Sequence, residues 1–311
     1  MNNKLFDRNI MLFRTTATLV LVCFSLILLP GCRIADSAEI GHYLSITSEN
    51  KSDQAKLYYQ DIGTGDPIIF IPGWTMTTEM FEHQIAHYSQ NYRVITFDPR
   101  GQGRSSKTTE GNNYVQHARD LKQLIDKLHV INPVLISWSW GIVEHLAYIN
   151  LFGHENIKAS VFIDGSPKSL IESPEEWGDG TLHEDLFWPR TAMYDREQLN
   201  IIFADWMLED NTSQTVKDWV IEQSLKTPNY IASLLAYDAV FTDYTPDIIT
   251  LDQAHPILYV LREEWSGSAK NWIANNTPNA DVFVLGKHMM FWQHPQQFNQ
   301  RLDEFLEKVD K

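Results

Sequence analysis

Pro133-Val134-Leu135-Ile136-Ser137-Trp138-Ser139-Trp140-Gly141 is the stretch whose reading decides the fold. The run through Ile136 is short, apolar and opened by a proline, as expected of a strand buried on both faces. Ser139 then sits between two tryptophans, with small residues two positions before and two after it. A strand-to-helix turn that presents a hydroxyl strains the backbone at that residue and tolerates only small neighbours at those two positions. Ser137 and Gly141 meet the demand.

Working outward, the same kind of apolar run recurs at Pro67–Pro72, Arg93–Phe97, Ala159–Ile163, Pro256–Leu261 and Ala280–Leu285. Between the second run and Pro133, Val115, Ala118, Leu121, Leu124, Ile125 and Leu128 recur at three- and four-residue steps, which predicts one face of a helix. Strand–helix alternation of this kind predicts an α/β chain with a mostly parallel sheet covered on both faces. From about residue 169 to 254 the rhythm breaks into a helical, aromatic stretch holding Trp177, Phe187, Trp188, Phe203, Trp206 and Trp219. That segment is expected to be a cap inserted before the last two strands.

Composition narrows the function. The chain has 311 residues, 43% of them apolar, enough for a sizeable core. Twenty-five basic against 40 acidic residues give a net charge of −15, unsuited to a nucleic-acid partner. Two cysteines exclude a disulfide framework or a cysteine-rich metal site. At the N-terminus, Lys4, Arg8 and Arg14 precede an uncharged apolar stretch from Thr15 to Leu29 that ends Leu29-Pro30-Gly31-Cys32. The stretch has the shape of a secretory signal. Its end resembles the lipobox of bacterial lipoproteins, which implies cleavage before Cys32, acylation of that thiol and a cell-envelope location on a membrane, facing the periplasm or the exterior. Residues 1–31 are therefore expected to be signal, 32–53 a tether and 54–311 the catalytic domain.

With Ser139 placed after a buried strand, the chain resembles the α/β-hydrolase superfamily, in its serine-nucleophile branch, close to aryl esterases and non-haem haloperoxidase-like hydrolases. Three further motifs carry the resemblance. Pro72-Gly73-Trp74 matches the turn that lends an oxyanion-hole N–H, with proline where histidine is usual. Asp98-Pro99-Arg100-Gly101-Gln102-Gly103-Arg104-Ser105 matches a turn of structural role, and its glycines lack the spacing of a dinucleotide site. Gly286-Lys287-His288 follows the last strand, where the family keeps its histidine. The resemblance implies Ser139 as nucleophile, His288 as base with His294 a distant second, Trp74 and Trp140 as backbone oxyanion donors, and no cofactor or metal. The departure is at the acid. The usual turn after Ile257–Leu261 reads Arg262-Glu263-Glu264-Trp265, without the expected aspartate. Asp164, at the end of the neighbouring strand, is the preferred acid because a short buried carboxylate fixes an imidazole tautomer well. Glu264, or Glu263 beside it, is the alternative. Trp74, Trp138, Trp140 and Phe291 are expected around a compact apolar pocket. The implied activity is hydrolysis of a small ester, thioester or lactone; the competing reading is a ligand-binding hydrolase-fold protein without catalysis.

Overall fold

The computed structural model describes residues 41–48, 54–173 and 176–311. The expected signal and Cys32 lie outside the described residues. The tether is shorter than expected. Its second half contains a strand, β1 (Gly41–Thr47), paired antiparallel with β2 (Gln54–Ile62) from Gly41 opposite Gln60 to Thr47 opposite Gln54. Gln123 exchanges hydrogen bonds with the Thr47 backbone at 2.9 and 3.1 Å, so this first strand is tied to the helix below it.

The remaining strands are β3 (Pro67–Ile71), β4 (Arg93–Phe97), β5 (Val134–Trp138), β6 (Ala159–Ile163), β7 (Ile257–Leu261) and β8 (Asp281–Val284). Among the described residues they form one sheet in the order β1-β2-β4-β3-β5-β6-β7-β8. The β1–β2 and β2–β4 pairs are antiparallel and all the others parallel. β5, β6 and β7 are buried along their whole length, as their unbroken apolar sequences require. The chain moves one way along the sheet from β3 to β4 and then reverses, crossing back past β3 from β4 to β5. Such a reversal leaves a crevice at the carboxyl ends of the strands that flank it.

Helices α1 (Glu82–Tyr88), α2 (Tyr114–Lys127) and α3 (Gly141–Phe152) connect the first strands. α2 buries Ala118, Leu121, Leu124 and Ile125 of the predicted apolar face but leaves Val115 exposed, and it is capped by the Asn113 side chain, which accepts the Gln116 N–H at 2.8 Å. The insertion after β6 carries α4 (Leu182–Asp185), α5 (Phe187–Tyr194), α6 (Arg196–Met207), α7 (Gln214–Leu225), α8 (Asn229–Val240) and α9 (Thr245–Asp252). Its neck closes where Lys168 bridges Asp243 and the Tyr244 N–H reaches the Pro167 carbonyl at 2.9 Å. The cap proper therefore ends near residue 243, earlier than the expected 254, and α9 packs on α3 as an ordinary sheet-covering helix. α10 (Ser266–Asn276), α11 (Met290–Gln293) and α12 (Pro295–Val309) complete the fold, with α12 against α1. No helix among the described residues is long and apolar enough to cross a membrane.

Candidate active site

Ser139 occupies the turn between β5 and α3 with φ +55°, a left-handed conformation that few non-glycine residues hold without support. The support is local. The Ser139 N–H donates to Ile163 O at 2.9 Å, and Ser139 O accepts the Ile142 N–H at 3.0 Å. Close packing against the β3 end requires glycine twice. A Cβ on Gly141 would stand 2.6 Å from Pro72 O, and one on Gly73 would stand 2.9 Å from the Ser139 Cβ. Ser137 needs no such gap. Its hydroxyl is buried and bonded to His145 Nδ1 at 3.1 Å, so serine fits where glycine is usual.

The turn after β3 presents the Trp74 N–H, and the turn after β5 the Trp140 N–H. Among the described residues neither donates to a protein acceptor. The 98–105 turn braces the first of these. Gln102 Oε1 accepts the Thr75 N–H at 2.7 Å, and its amide group donates to Met76 O at 3.2 Å. Asp98 accepts the Thr78 and Arg104 N–H groups at 2.8 and 2.6 Å. This turn thus has a structural role, bracing the loop that carries Trp74.

His288 and Asp164 meet. Nδ1 of His288 lies 2.5 Å from Asp164 Oδ2. Asp164 also accepts the Arg262 N–H at 3.0 Å on Oδ1 and Arg262 Nη1 at 2.8 Å on Oδ2. A carboxylate accepting from all sides puts the imidazole proton on Nδ1 and leaves Nε2 as a bare acceptor. Nε2 is buried and has no partner among the described residues. Burial favours the neutral form of Asp164, but the bonds and charges of His288 and Arg262 outweigh it and hold the carboxyl below its ordinary value. Burial likewise lowers His288 below the usual imidazole value, against the pull of Asp164. The ring is clamped by Trp206, 4.3 Å away between centres, and Trp138, whose Nε1 donates to His288 O at 2.9 Å.

The other candidates fall outside this constellation. Glu263 and Glu264, the alternative acid, are exposed and bond to neither His288 nor Asp164, whereas Asp164 bonds to His288. Trp265 stands where the family's aspartate is usual, and Arg262, three residues earlier in the same turn, is the counter-charge to Asp164. His294 is tied at 2.6 Å to Glu209 of the cap. Trp138 and Phe291, expected around the pocket, are buried beneath it instead.

Ser139, His288 and Asp164 line one cavity of about 150 Å³. Its walls are Trp74, Trp140, Trp188, Phe203, Trp206 and Trp265, with Arg262 and Asp179 as further polar groups. Arg262 stacks on Trp265 at 3.7 Å, and Asp179 fixes the Trp140 indole by a 2.8 Å bond from Nε1. Four of these walls come from the cap or from the turn after β7. Their aromatic character was visible in the sequence, but their convergence depends on tertiary packing.

The family described as the alpha/beta hydrolase fold matches residues 66–199. The chain is 30% identical over 280 residues to the non-heme chloroperoxidase CPO-A1 of Kitasatospora aureofaciens, spanning 82% of this chain and 98% of that protein. The esterase EaEST from Exiguobacterium antarcticum superposes with a TM-score of 0.77 at 20% identity, over 87% of this chain and 100% of that one. An enol-lactonase from Burkholderia xenovorans gives 0.69 at 17% identity, over 85% and 100%. These two superpositions show a shared fold, and the identity to a relative covered almost end to end goes further: the chain belongs to the α/β-hydrolase family.

Proposed function

We propose that the protein is a serine hydrolase that cleaves a small carboxylic ester, thioester or lactone through an acyl-enzyme. The observation that carries this reading is a histidine with a buried, unpartnered Nε2, oriented by an ionised aspartate, in one cavity with a strained serine and two free N–H groups. Ser139 Oγ attacks the carbonyl carbon while His288 Nε2 takes its proton. The carbonyl oxygen gains the negative charge, and the Trp74 and Trp140 N–H groups stabilise it. Collapse breaks the bond to the leaving group, which departs with the proton from His288. Water then repeats the sequence on the acyl-serine. A serine nucleophile separates this reading from the aspartate-based dehalogenase and epoxide hydrolase branches. The cavity resembles in size one that accepts benzene, of roughly 150 Å³, which suits a short acyl or aryl group.

The first test is covalent labelling. A fluorophosphonate should add once to the wild type, at Ser139, and not to Ser139→Ala, as read by intact mass and peptide mapping. Ser139→Ala should retain only the residual catalysis of oxyanion stabilisation and binding, roughly 10³–10⁴ above water. An adduct that persists in the variant, or one on Ser137, overturns the assignment. No labelling at all favours the non-catalytic, ligand-binding alternative.

The acid is tested by two substitutions in parallel. Asp164→Asn should lower kcat by about 10⁴, the scale seen when a triad acid can no longer hold the productive tautomer. Glu264→Gln should cost about tenfold or less, as expected of a group outside the proton path. The reverse order of losses would place the acid after β7.

The pH profile follows from the direction of the His288 shift. The base works when neutral, and burial lowers its pKa, so the acid limb of kcat/KM should lie below pH 6.5. A limb at or above that value would mean that burial does not dominate at the imidazole.

Display on a membrane is part of the proposal and rests on Leu29-Pro30-Gly31-Cys32. Two or more acyl chains on Cys32 would anchor the enzyme stably at the cell envelope. Cys32→Ser should release the protein from the membrane fraction or leave it unprocessed. Unchanged processing and detergent partitioning would remove the anchor from the reading.

A further inference from the structure

Arg196, the first residue of α6, is buried, with 4% of its surface exposed. Its Nη2 donates to Ser224 O at 3.2 Å and to Ser224 Oγ at 2.7 Å. Nε and Nη1 have no partner among the described residues, and no carboxylate there pairs with the guanidinium. Burial brings its pKa down to about 10, so the group stays charged at neutral pH. Burying a cation without a counter-ion is costly, and an apolar side chain of similar volume would fill the same space without that cost. The charge therefore needs a use.

Its surroundings suggest one. The guanidinium carbon lies 4.8 Å from the centre of the Trp74 ring. Ser224 Oγ donates to Asn200 Oδ1 at 3.1 Å and is 2.8 Å from Thr75 Oγ1, so the threonine hydroxyl is the donor in that second bond. Thr75 has φ +64° and directly follows Trp74, which lines the cavity. The oxyanion loop is thus held from the sheet side by Gln102 and from the cap side by Ser224, with Arg196 fixing Ser224.

We propose that Arg196 is a positioning residue: an unpaired guanidinium in the cap that fixes the Gly73–Thr75 turn through Ser224 and Trp74, and whose field favours negative charge on the oxygen facing the Trp74 N–H. The inference rests on the serine-hydrolase reading and adds to it that the cap, not the sheet alone, supplies part of the oxyanion stabilisation. At an effective dielectric constant of about 20, a unit charge acting over about 10 Å is worth on the order of a tenfold change in rate. No proton or electron moves at Arg196.

The test compares Arg196→Met with Arg196→Lys by steady-state hydrolysis of p-nitrophenyl acetate and inhibition by phenylboronic acid, which forms a tetrahedral anionic adduct on an activated serine. Arg196→Met should lower kcat about tenfold, leave KM within about twofold and weaken boronic acid inhibition by a similar factor. Arg196→Lys, which keeps the charge, should recover most of the loss on both measures. If kcat and boronic acid affinity in folded Arg196→Met match the wild type, or if Arg196→Lys falls as far as Arg196→Met, the inference fails. Should Arg196→Met not fold, Arg196→Gln against Arg196→Lys makes the same comparison. Failure of the underlying reading looks different: the wild type then neither hydrolyses the ester nor takes a fluorophosphonate.

Discussion

A carboxylate has to stay charged where water does not reach it, and the site is arranged around that constraint. The Asp164 side chain is fully buried at the end of β6. Its charge is met by Arg262 from the end of β7 and by His288 from the loop after β8. Its own N–H donates to Val260 O at 2.7 Å, which locks the turn to the neighbouring strand. Three successive strand ends therefore converge on one pair of oxygens. Loss of a partner from such an arrangement typically costs about 3–5 kcal/mol, because a charge is left buried without compensation. The same bonds set the histidine tautomer, so the demand of stability and the demand of chemistry coincide.

Backbone strain gathers at the same place. Among the described residues five non-glycine residues have positive φ: Thr75, His129, Asn132, Ser139 and Asp164. Ser139 and Asp164 line the cavity, and Thr75 directly follows Trp74, which also lines it. Strain of about 1–3 kcal/mol at each persists only where the surroundings over-determine the conformation. Here sheet hydrogen bonds hold Ser139 and Asp164, while Thr75 is held by Gln102 below and Ser224 above. The cap is thus more than a cover. It contributes bonds to the loop that carries Trp74.

The parallel core was legible because strands buried on both faces must be apolar throughout. The runs read at Pro67, Arg93, Pro133, Ala159, Pro256 and Ala280 fall on β3 to β8 within a residue or two. β1 and β2 escaped that criterion. They pair antiparallel at the sheet edge, and Gln54, Lys56, Gln60 and Asp61 interrupt the apolar pattern of β2. Ser139 and His288 were legible from their position after strands. Arg196 and Arg262 were not, since a charged residue in a helix or after a strand normally faces solvent, and only the packed cap reveals that these two do not.

The departures from the usual family pattern carry the strongest argument that the site is built rather than eroded. Serine replaces glycine at 137, yet its hydroxyl joins a buried chain through His145 and Ser160 to His255, with successive distances of 3.1, 3.1 and 3.2 Å. Burial lowers His145 to about 3 and His255 to about 4, so this chain carries no charge beneath the nucleophile. Proline replaces histidine at 72, where the group that matters is the main-chain N–H of Trp74. The turn after β7 lacks the family's usual aspartate, and its Arg262 pairs with the Asp164 carboxylate at the end of β6. A decaying site would show substitutions with orphaned partners. Here the Arg262 guanidinium after β7 and the Asp164 carboxylate after β6 pair with each other, and the His288 imidazole beside them turns Nδ1 to Asp164 and has no partner at Nε2 among the described residues.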